Sequence, residues 1–390
     1  MRMFGWKSGR EGSRPALSRA GAGTGWANAQ WAGGEWPQSY VAQLRAAYLG
    51  NAVAQRAVRL VAESVAGAPV TASEPALAML IGARSGGQAL LETIAAHLLL
   101  HGNAYVQVLR DAAGEAAELF ALRPERVTVE PDAAGWPAAY RYAVGERVQR
   151  LSADPFRPEL IHIKRFHPAD DHYGLGCLGA AAGSVALHNA AARWNKALLD
   201  NAARPSGALL HHAEDGALSA EQFDRLRAEM DSAFAGAGNA GRPMLLEGGL
   251  TWQPLSLTPA DMDFAQMKAA AAREIALAFG VPPMLLGLPG DSTFANYKEA
   301  NRALWRLSVL PLADAILVAL AQGLRGWFAD ATLAIDLDAV PALAEDRERL
   351  WRSVSAADFL SVAEKRAMLG IAGDGTDTGG ADAGAAGVAA

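Results

Sequence analysis

Five side chains able to hold a metal ion fall within eleven residues: His162, His167, Asp170, Asp171 and His172, in the run HIKRFHPADDHYGLG. Imidazole and carboxylate are ordinary ligands of catalytic divalent ions. The run is therefore a candidate centre for a metal-dependent hydrolase, with His162, His167, Asp171 and His172 as its ligands. A binuclear phosphoesterase could use such groups. A centre of that kind also needs ligands from distant segments with a spacing of their own, and the chain has no HxH or HExxH. The plainer reading is a polar loop leaving a strand, its Asp and His side chains tying the backbone into a turn.

Other reactive types are weaker signals. His97 and His101 stand four apart, a spacing that binds zinc from one helix face. They flank an apolar LLL run, however, and a histidine near a helix C-terminus gains from the dipole. His211 and His212 project to opposite sides of a strand. Ser184, Ser206 and Ser256 sit in no nucleophile elbow, Cys177 has no evident base, and no GxxxxGK[ST] is present to drive ATP hydrolysis. The glycines of GLGCLG, Gly174–Gly179, read as a hinge into the next helix.

The elements that would position these groups alternate in type. Val53, Ala57, Leu60 and Val61 share a helical face within Tyr40–Ala66, and Gln88–Leu100 is a second helix ending at Gly102. Residues 104–163 switch to short β patterns joined by two DAAG turns, Asp111–Gly114 and Asp132–Gly135, which predicts an antiparallel meander. Helix returns over Gly179–Ala203. Strands SGALLHH, RPMLLEGG and TWQPLSL then bracket a helix capped by Ser219 and Gln222.

Thr258–Trp305 is the most specific stretch. Phe264, Met267, Ala271, Ile275 and Phe279 line one helix face, Gly280 ends it, and Pro282-Pro283 forbid continuation. The loop that follows, Met284–Ser292, is apolar, and Leu285, Leu286 and Leu288 are expected to be exposed until a partner covers them. A long helical pattern runs from Asn296 to about Phe328, with Pro311 expected to kink it. A further short helix or two fall in Asp346–Leu369. Residues 1–38 and 371–390 read as a disordered arm and tail; Trp26, Trp31 and Trp36 of the arm are placed to dock on a neighbour.

The whole chain sets bounds on partners. It has 390 residues and a formal net charge of −6, which argues against gripping nucleic acid by phosphate neutralisation but not against letting DNA slide past. Its one cysteine fits a reducing compartment. MRMFGWKSGR lacks the apolar core of a signal peptide, and the apolar runs Ala89–Leu100 and Leu312–Ala321 are too short to span a membrane.

Several long runs resemble the portal proteins of tailed bacteriophages, of the siphophage type: DDHYGLGCLGAA, HNAAARWNKALLDNAARPSGALL, NAGRPMLLEGGLTWQPLSL, DMDFAQMKAAAAREIALAFGVPPMLLGLPGD and NYKEANRALWR. The compact, Ala-rich character is most similar to portals of alphaproteobacterial gene transfer agents. The resemblance covers about Tyr40 to Gly370. It implies an α+β, elongated, multi-layer subunit of a ring, twelve-membered as a rule, at one capsid vertex. It implies a wing (39–175), a stem helix (176–203), a clip (204–257), a second stem helix (258–280), a tunnel loop (281–295), a kinked long helix with wing return (296–345) and a crown (346–370). It implies no enzyme activity, no cofactor and no membrane. The implied partners are double-stranded DNA, further copies, the terminase large subunit, a head–tail adaptor and the major capsid protein. Lys268, Arg273, Leu285, Leu286, Leu288, Asp291, Ser292, Thr293 and Phe294 become the candidate channel residues. His211, His212, Glu214, Asp215, Asn239 and Arg242 become the candidate clip contacts.

Overall fold

The computed structural model describes residue 17 and residues 39–200, 207–211, 219–234, 250–254, 264–288 and 294–370. The arm apart from Leu17, the tail, and the strand expected at RPMLLEGG lie outside them. The chain divides into two compact units, one up to Ile335 and one from Asp336.

The first unit opens with α1 (Tyr40–Leu44), a π turn (Arg45–Leu49) and α2 (Ala52–Ala66). The single helix expected over Tyr40–Ala66 is thus split. The cause is Asn51, whose extended backbone and side-chain oxygen restart the helix by accepting from Val53 N and Ala54 N at 3.0 Å each. β1 (Val70–Ala72) leads to α3 (Pro75–Gly82), a helix not anticipated from sequence. The short hairpin β2 (Arg84–Ser85) and β3 (Gln88–Ala89) then leads into α4 (Leu90–Leu100).

Six strands follow: β4 (Asn103–Arg110), β5 (Ala116–Leu122), β6 (Val127–Pro131), β7 (Pro137–Val144), β8 (Arg147–Ser152) and β9 (Leu160–Lys164). All pairings are antiparallel, but they form two three-stranded sheets, β5-β4-β9 and β6-β7-β8, instead of one meander. β9 returns beside β4, a non-local pairing that no turn motif announces. Gly114 and Gly135 take φ of 83° and 87° in the two DAAG turns, the left-handed conformation that favours glycine.

α5 (Leu178–Asp200) leaves the sheets. β10 (Gly207–His211) pairs antiparallel with β11 (Leu250–Pro254), and between them in sequence lies α6 (Ala220–Phe234). Ser219 and Gln222 cap α6 reciprocally, Gln222 N donating to Ser219 Oγ and Ser219 N to Gln222 Oε1. α7 (Phe264–Ala278) packs along α5. α8 (Phe294–Leu304), a π turn (Trp305–Val309) and α9 (Leu310–Leu324) form one continuous helical run, and β12 (Leu333–Ile335) closes on β1. Pro311 does not break this run. It falls in the first turn of α9, just after a wide turn in which Leu310 N reaches back to Trp305 O.

One core gathers Val58 and Val61 of α2, Ile94 and Leu98 of α4, Val106 of β4, Ile275 of α7, and Ile316, Leu320 and Leu324 of α9. A second sits between the sheets around Tyr105, Leu122, Val129, Tyr140 and Leu151. The helical run Ala295–Leu324 is, by length and composition, long and apolar enough to cross a membrane, which corrects the expectation that no segment reaches that length; 44% of its apolar window is buried inside this fold.

The second unit holds α10 (Ala344–Ser355) and α11 (Val362–Leu369). Arg347 chelates Asp338, with Nε and Nη2 donating at 2.5 and 2.9 Å to its two oxygens. That arrangement holds the Asp338 carboxyl below its ordinary range. Ser361 and Glu364 complete a capping box on α11.

Candidate functional site

The His/Asp run is spent on backbone. Asp170 Oδ1 accepts from His172 N and Tyr173 N, the carbonyl of Asp171 accepts from Lys164 Nζ, and His167 Nδ1 accepts from Ala169 N. His172 is buried with Nε2 donating to Gly135 O at 2.6 Å. His162 faces another way altogether, donating to Asn103 Oδ1 and stacking on Tyr105 with ring centres 4.4 Å apart. Burial lowers its pKa to about 3, with Lys164, His101 and His172 adding smaller contributions. Among the described residues, no three His, Cys, Asp or Glu side chains converge to hold a metal ion. The acid pair Asp336/Asp338 is likewise engaged, by its own backbone and by Arg347.

His97 and His101 do not act together either. His97 is half-buried, and desolvation of its imidazole lowers the pKa to about 4, with smaller contributions from His101 and Arg123. His101 packs edge-on against Tyr40 at 4.6 Å. Burial pushes the Cys177 thiol up, the opposite of what a nucleophile needs. The glycines expected to form a hinge instead make a close backbone crossing. A Cβ on Gly174 would lie 2.1 Å from Gly102 O, and one on Gly176 2.5 Å from Leu100 O.

The Pro-rich loop is built from the end of α7 onward. Gly280 turns the chain at φ 68°, and its carbonyl accepts from Ser308 Oγ at 2.5 Å. Pro283–Leu286 form a 3-10 turn closed by Gly287 at φ 73°. Leu285 and Leu286 fold back onto the main core and Leu288 is half-buried, so the expected exposure of these three leucines is corrected. Proline at positions 282 and 283 sets a turn tight enough to aim both side chains inward. Asp291, Ser292 and Thr293 lie outside the described residues, and Phe294 is the first residue of α8.

Beneath the loop, α5 and α7 are tied by Ser184 Oγ donating to Glu274 Oε2 at 2.6 Å. Lys268 is half-buried beside His188 of α5 and, after burial, is a cause of that imidazole's lowered pKa. Arg273 is exposed on another side of α7. His211 ends β10 opposite Leu250. His212, Glu214, Asp215, Asn239 and Arg242 lie outside the described residues.

Two features were not read from sequence. One is a cleft of 730 Å³ between the 163–177 loop, the end of α7 and the 307–315 stretch of the long helical run. The other is Asn51, whose Nδ2 donates to Asn189 Oδ1 at 2.8 Å and to His188 Nδ1 at 3.1 Å, joining the start of α2 to α5. An Asn after a helix-breaking Gly50 is a capping signal, and it was the available clue.

This arrangement of paired helices, a small strand–helix insert, a Pro/Gly loop and a long helical run has known counterparts. Residues 52–370 match the phage portal protein family, and the chain belongs to it. A chain in the neck of a native gene transfer agent particle, solved with C12 symmetry, is 49% identical with a TM-score of 0.67, covering 86% of this chain and 94% of that one. A protein of Rickettsia felis is 38% identical over 344 residues, 83% of this chain and 88% of its own length. The portal protein of Enterobacteria phage HK97 is 29% identical over 208 residues, 53% of this chain and 46% of its own.

Proposed function

We propose that this chain is the portal subunit of a phage-like particle of the gene transfer agent type, a ring-shaped conduit for DNA at one capsid vertex. The observation that carries the reading is the 49% identity, over 86% of this chain, to a chain in the neck of such a particle solved with C12 symmetry. A ring of twelve copies follows by likeness. The paired helices α5 and α7 act as its stem, the insert β10–α6–β11 as its clip, the residues around 281–295 as its tunnel loop, 39–175 as its wing and 346–370 as its crown.

The work is mechanical, not catalytic. The clip docks the terminase large subunit during packaging and later a head–tail adaptor, while the major capsid protein surrounds the wing. Lys268, Arg273 and the later loop residues Asp291–Phe294 are the groups offered to the passing duplex. A conduit needs weak, sequence-blind contact with phosphates, and a net charge of −6 suits that need.

Electron microscopy of the purified chain and of particles tests the ring directly. The expected image is a closed ring with a central hole wide enough for a duplex. Particles lacking such a ring at a unique vertex would refute the reading. Deleting Gly287–Gly290 tests the loop; the expected result is loss of DNA packaging or retention while rings still form, and unchanged retention would remove the loop from the mechanism.

A further inference from the structure

The two DAAG turns, Asp111–Gly114 and Asp132–Gly135, share one local chemistry. In each the aspartate Oδ1 accepts two backbone N–H groups, from Ala113 and Glu115 in the first and from Ala134 and Trp136 in the second. In each the glycine N donates to the aspartate O at 3.0 Å, and the glycine lies in the left-handed region. Each glycine carbonyl also accepts a ring N–H: Gly114 O from Trp327 Nε1, and Gly135 O from His172 Nε2.

The turns differ in what crosses them. A Cβ on Gly114 would meet nothing within 4 Å. One on Gly135 would lie 2.1 Å from Leu17 O and 2.8 Å from Leu17 C. Leu17 N donates to Ala134 O at 3.0 Å, and Leu17 is half-buried. Backbone conformation alone accounts for the glycine at 114. Position 135 has a second reason, because another backbone passes too close for any side chain.

We infer that the Asp132–Gly135 turn is a docking seat for the N-terminal arm, occupied by the segment of the same chain around Leu17, and that the His/Asp run serves to hold this seat rigid. His172 is only 4% exposed and fixes the Gly135 carbonyl. Its own backbone N is taken by Asp170, and Lys164 Nζ holds the carbonyl of Asp171. The turn presents Ala133 and Ala134, whose small side chains leave its backbone open to the arm. The arm is the occupant because Leu17 already makes the contact, and the 21 residues between it and Ser39 span up to about 70 Å when extended, enough to return to the same subunit. Charge favours the same pairing: Arg14 and Arg19 flank Leu17 in sequence, while the seat carries Asp132, with Asp170 and Asp171 next to His172. The inference does not depend on the ring reading above.

The test places a photo-reactive benzophenone amino acid at position 16 of the full chain and mixes it with an equal amount of isotope-labelled chain. The expected result is covalent linkage to the peptide holding residues 132–137, in same-isotope pairs. Gly135→Ala is expected to lower the yield of that linkage about tenfold, the order of one lost hydrogen bond. Gly114→Ala is expected to keep the wild-type yield, although both variants put an alanine in the same left-handed conformation. Leu17→Pro removes the arm's donor without altering the turn, and is expected to lower the yield about tenfold even if Gly135→Ala fails to fold. Linkage to other peptides, or undiminished linkage in Leu17→Pro, overturns the seat. Equal yields from the two glycine variants overturn the close crossing at Gly135. Mixed-isotope pairs overturn the assignment of the arm to its own chain.

Discussion

The carboxamide oxygen of Asn103 accepts two hydrogen bonds from separate segments, His162 Nε2 at 3.0 Å and Gly174 N at 2.7 Å. The backbone donor fixes which end of the amide is oxygen, so His162 carries its proton on Nε2. The same amide's nitrogen donates to Gly174 O at 3.1 Å, and Asn103 is only 1% exposed. One side chain therefore pins β9 and the 174–176 crossing to the start of β4. Asn103→Leu leaves two buried donors without partners. The expected cost is about 2–4 kcal/mol of unfolding free energy, read from urea unfolding of the unassembled subunit.

His162 and His97 predict an acid-sensitive first unit. Burial lowers their pKa values to about 3 and about 4, from ordinary values of 6.5. Between those limits the unfolded chain binds protons that the folded one refuses, so stability falls as pH drops below about 6.5. Each histidine contributes up to about a tenfold change in the folding constant per pH unit. Above pH 6.5 both contributions are complete. His162→Gln is expected to flatten the unfolding free energy between pH 6 and 4 relative to wild type; identical slopes would show that the imidazole is not neutral in the fold.

Tyr105 offers the opposite sign. Its ring is fully buried between His162 and Tyr140, yet its hydroxyl finds no hydrogen-bond partner among the described residues. Burial raises its pKa well above the usual range, so the group stays a neutral phenol. Tyr105→Phe removes an unpaired buried hydroxyl and keeps the ring. It is expected to be neutral or to stabilise by about 1 kcal/mol. A loss of 2 kcal/mol or more in thermal or urea unfolding would mean that the hydroxyl has a partner.

Two glycines with similar backbones separate strain from space. Gly102 and Gly287 take φ of 84° and 73°. A Cβ on Gly102 would lie 2.4 Å from Leu175 C, whereas one on Gly287 meets nothing within 4 Å. Gly287→Ala is expected to cost about 1 kcal/mol, the price of a left-handed alanine. Gly102→Ala adds a clash with backbone that cannot move aside and is expected to prevent soluble expression. Equal expression and melting temperature for the two variants would refute the crossing as a rigid constraint.

Local chemistry was legible in the sequence, and non-local chemistry was not. The Ser219/Gln222 cap, the two DAAG turns and the end of α7 at Gly280 are each decided within a few residues, and each stands where the spacing put it. The run HIKRFHPADDHYGLG shows the limit. Its composition suggests a metal centre, but whether ligands converge depends on where β9 lies. β9 lies beside β4, which turns His162 onto Asn103 and Tyr105, while Asp170 is taken up by the backbone of its own turn and Asp171 is exposed. Leu285, Leu286 and Leu288 differ from expectation for the same reason. Apolar composition says that Leu285 and Leu286 will be covered, not whether a second copy or their own core covers them. Portal membership itself came from long runs of sequence, because no catalytic residue had to be found.

Asn51 gives a prediction that divides one side chain into its two functions. Its oxygen caps α2 through Val53 N and Ala54 N, and its nitrogen reaches Asn189 and His188 on α5. Asn189 in turn donates to Ala46 O at 2.8 Å, so the first helical turns and α5 form one hydrogen-bonded node. Asn51→Ala removes both functions and is expected to cost about 2–3 kcal/mol. Asn51→Asp keeps the cap but sets a carboxylate oxygen against the oxygen of Asn189. It is therefore expected to retain hydrogen-exchange protection at the start of α2 while losing it along the middle of α5. Protection lost equally in both helices for both variants would mean that the cap and the tie to α5 cannot be separated. Protection unchanged in α5 for Asn51→Asp would mean that the Asn189 contact does not hold α5. The same variant is expected to shift α5 relative to α2 without unfolding either, and on the portal function proposed above its rings form but retain DNA poorly.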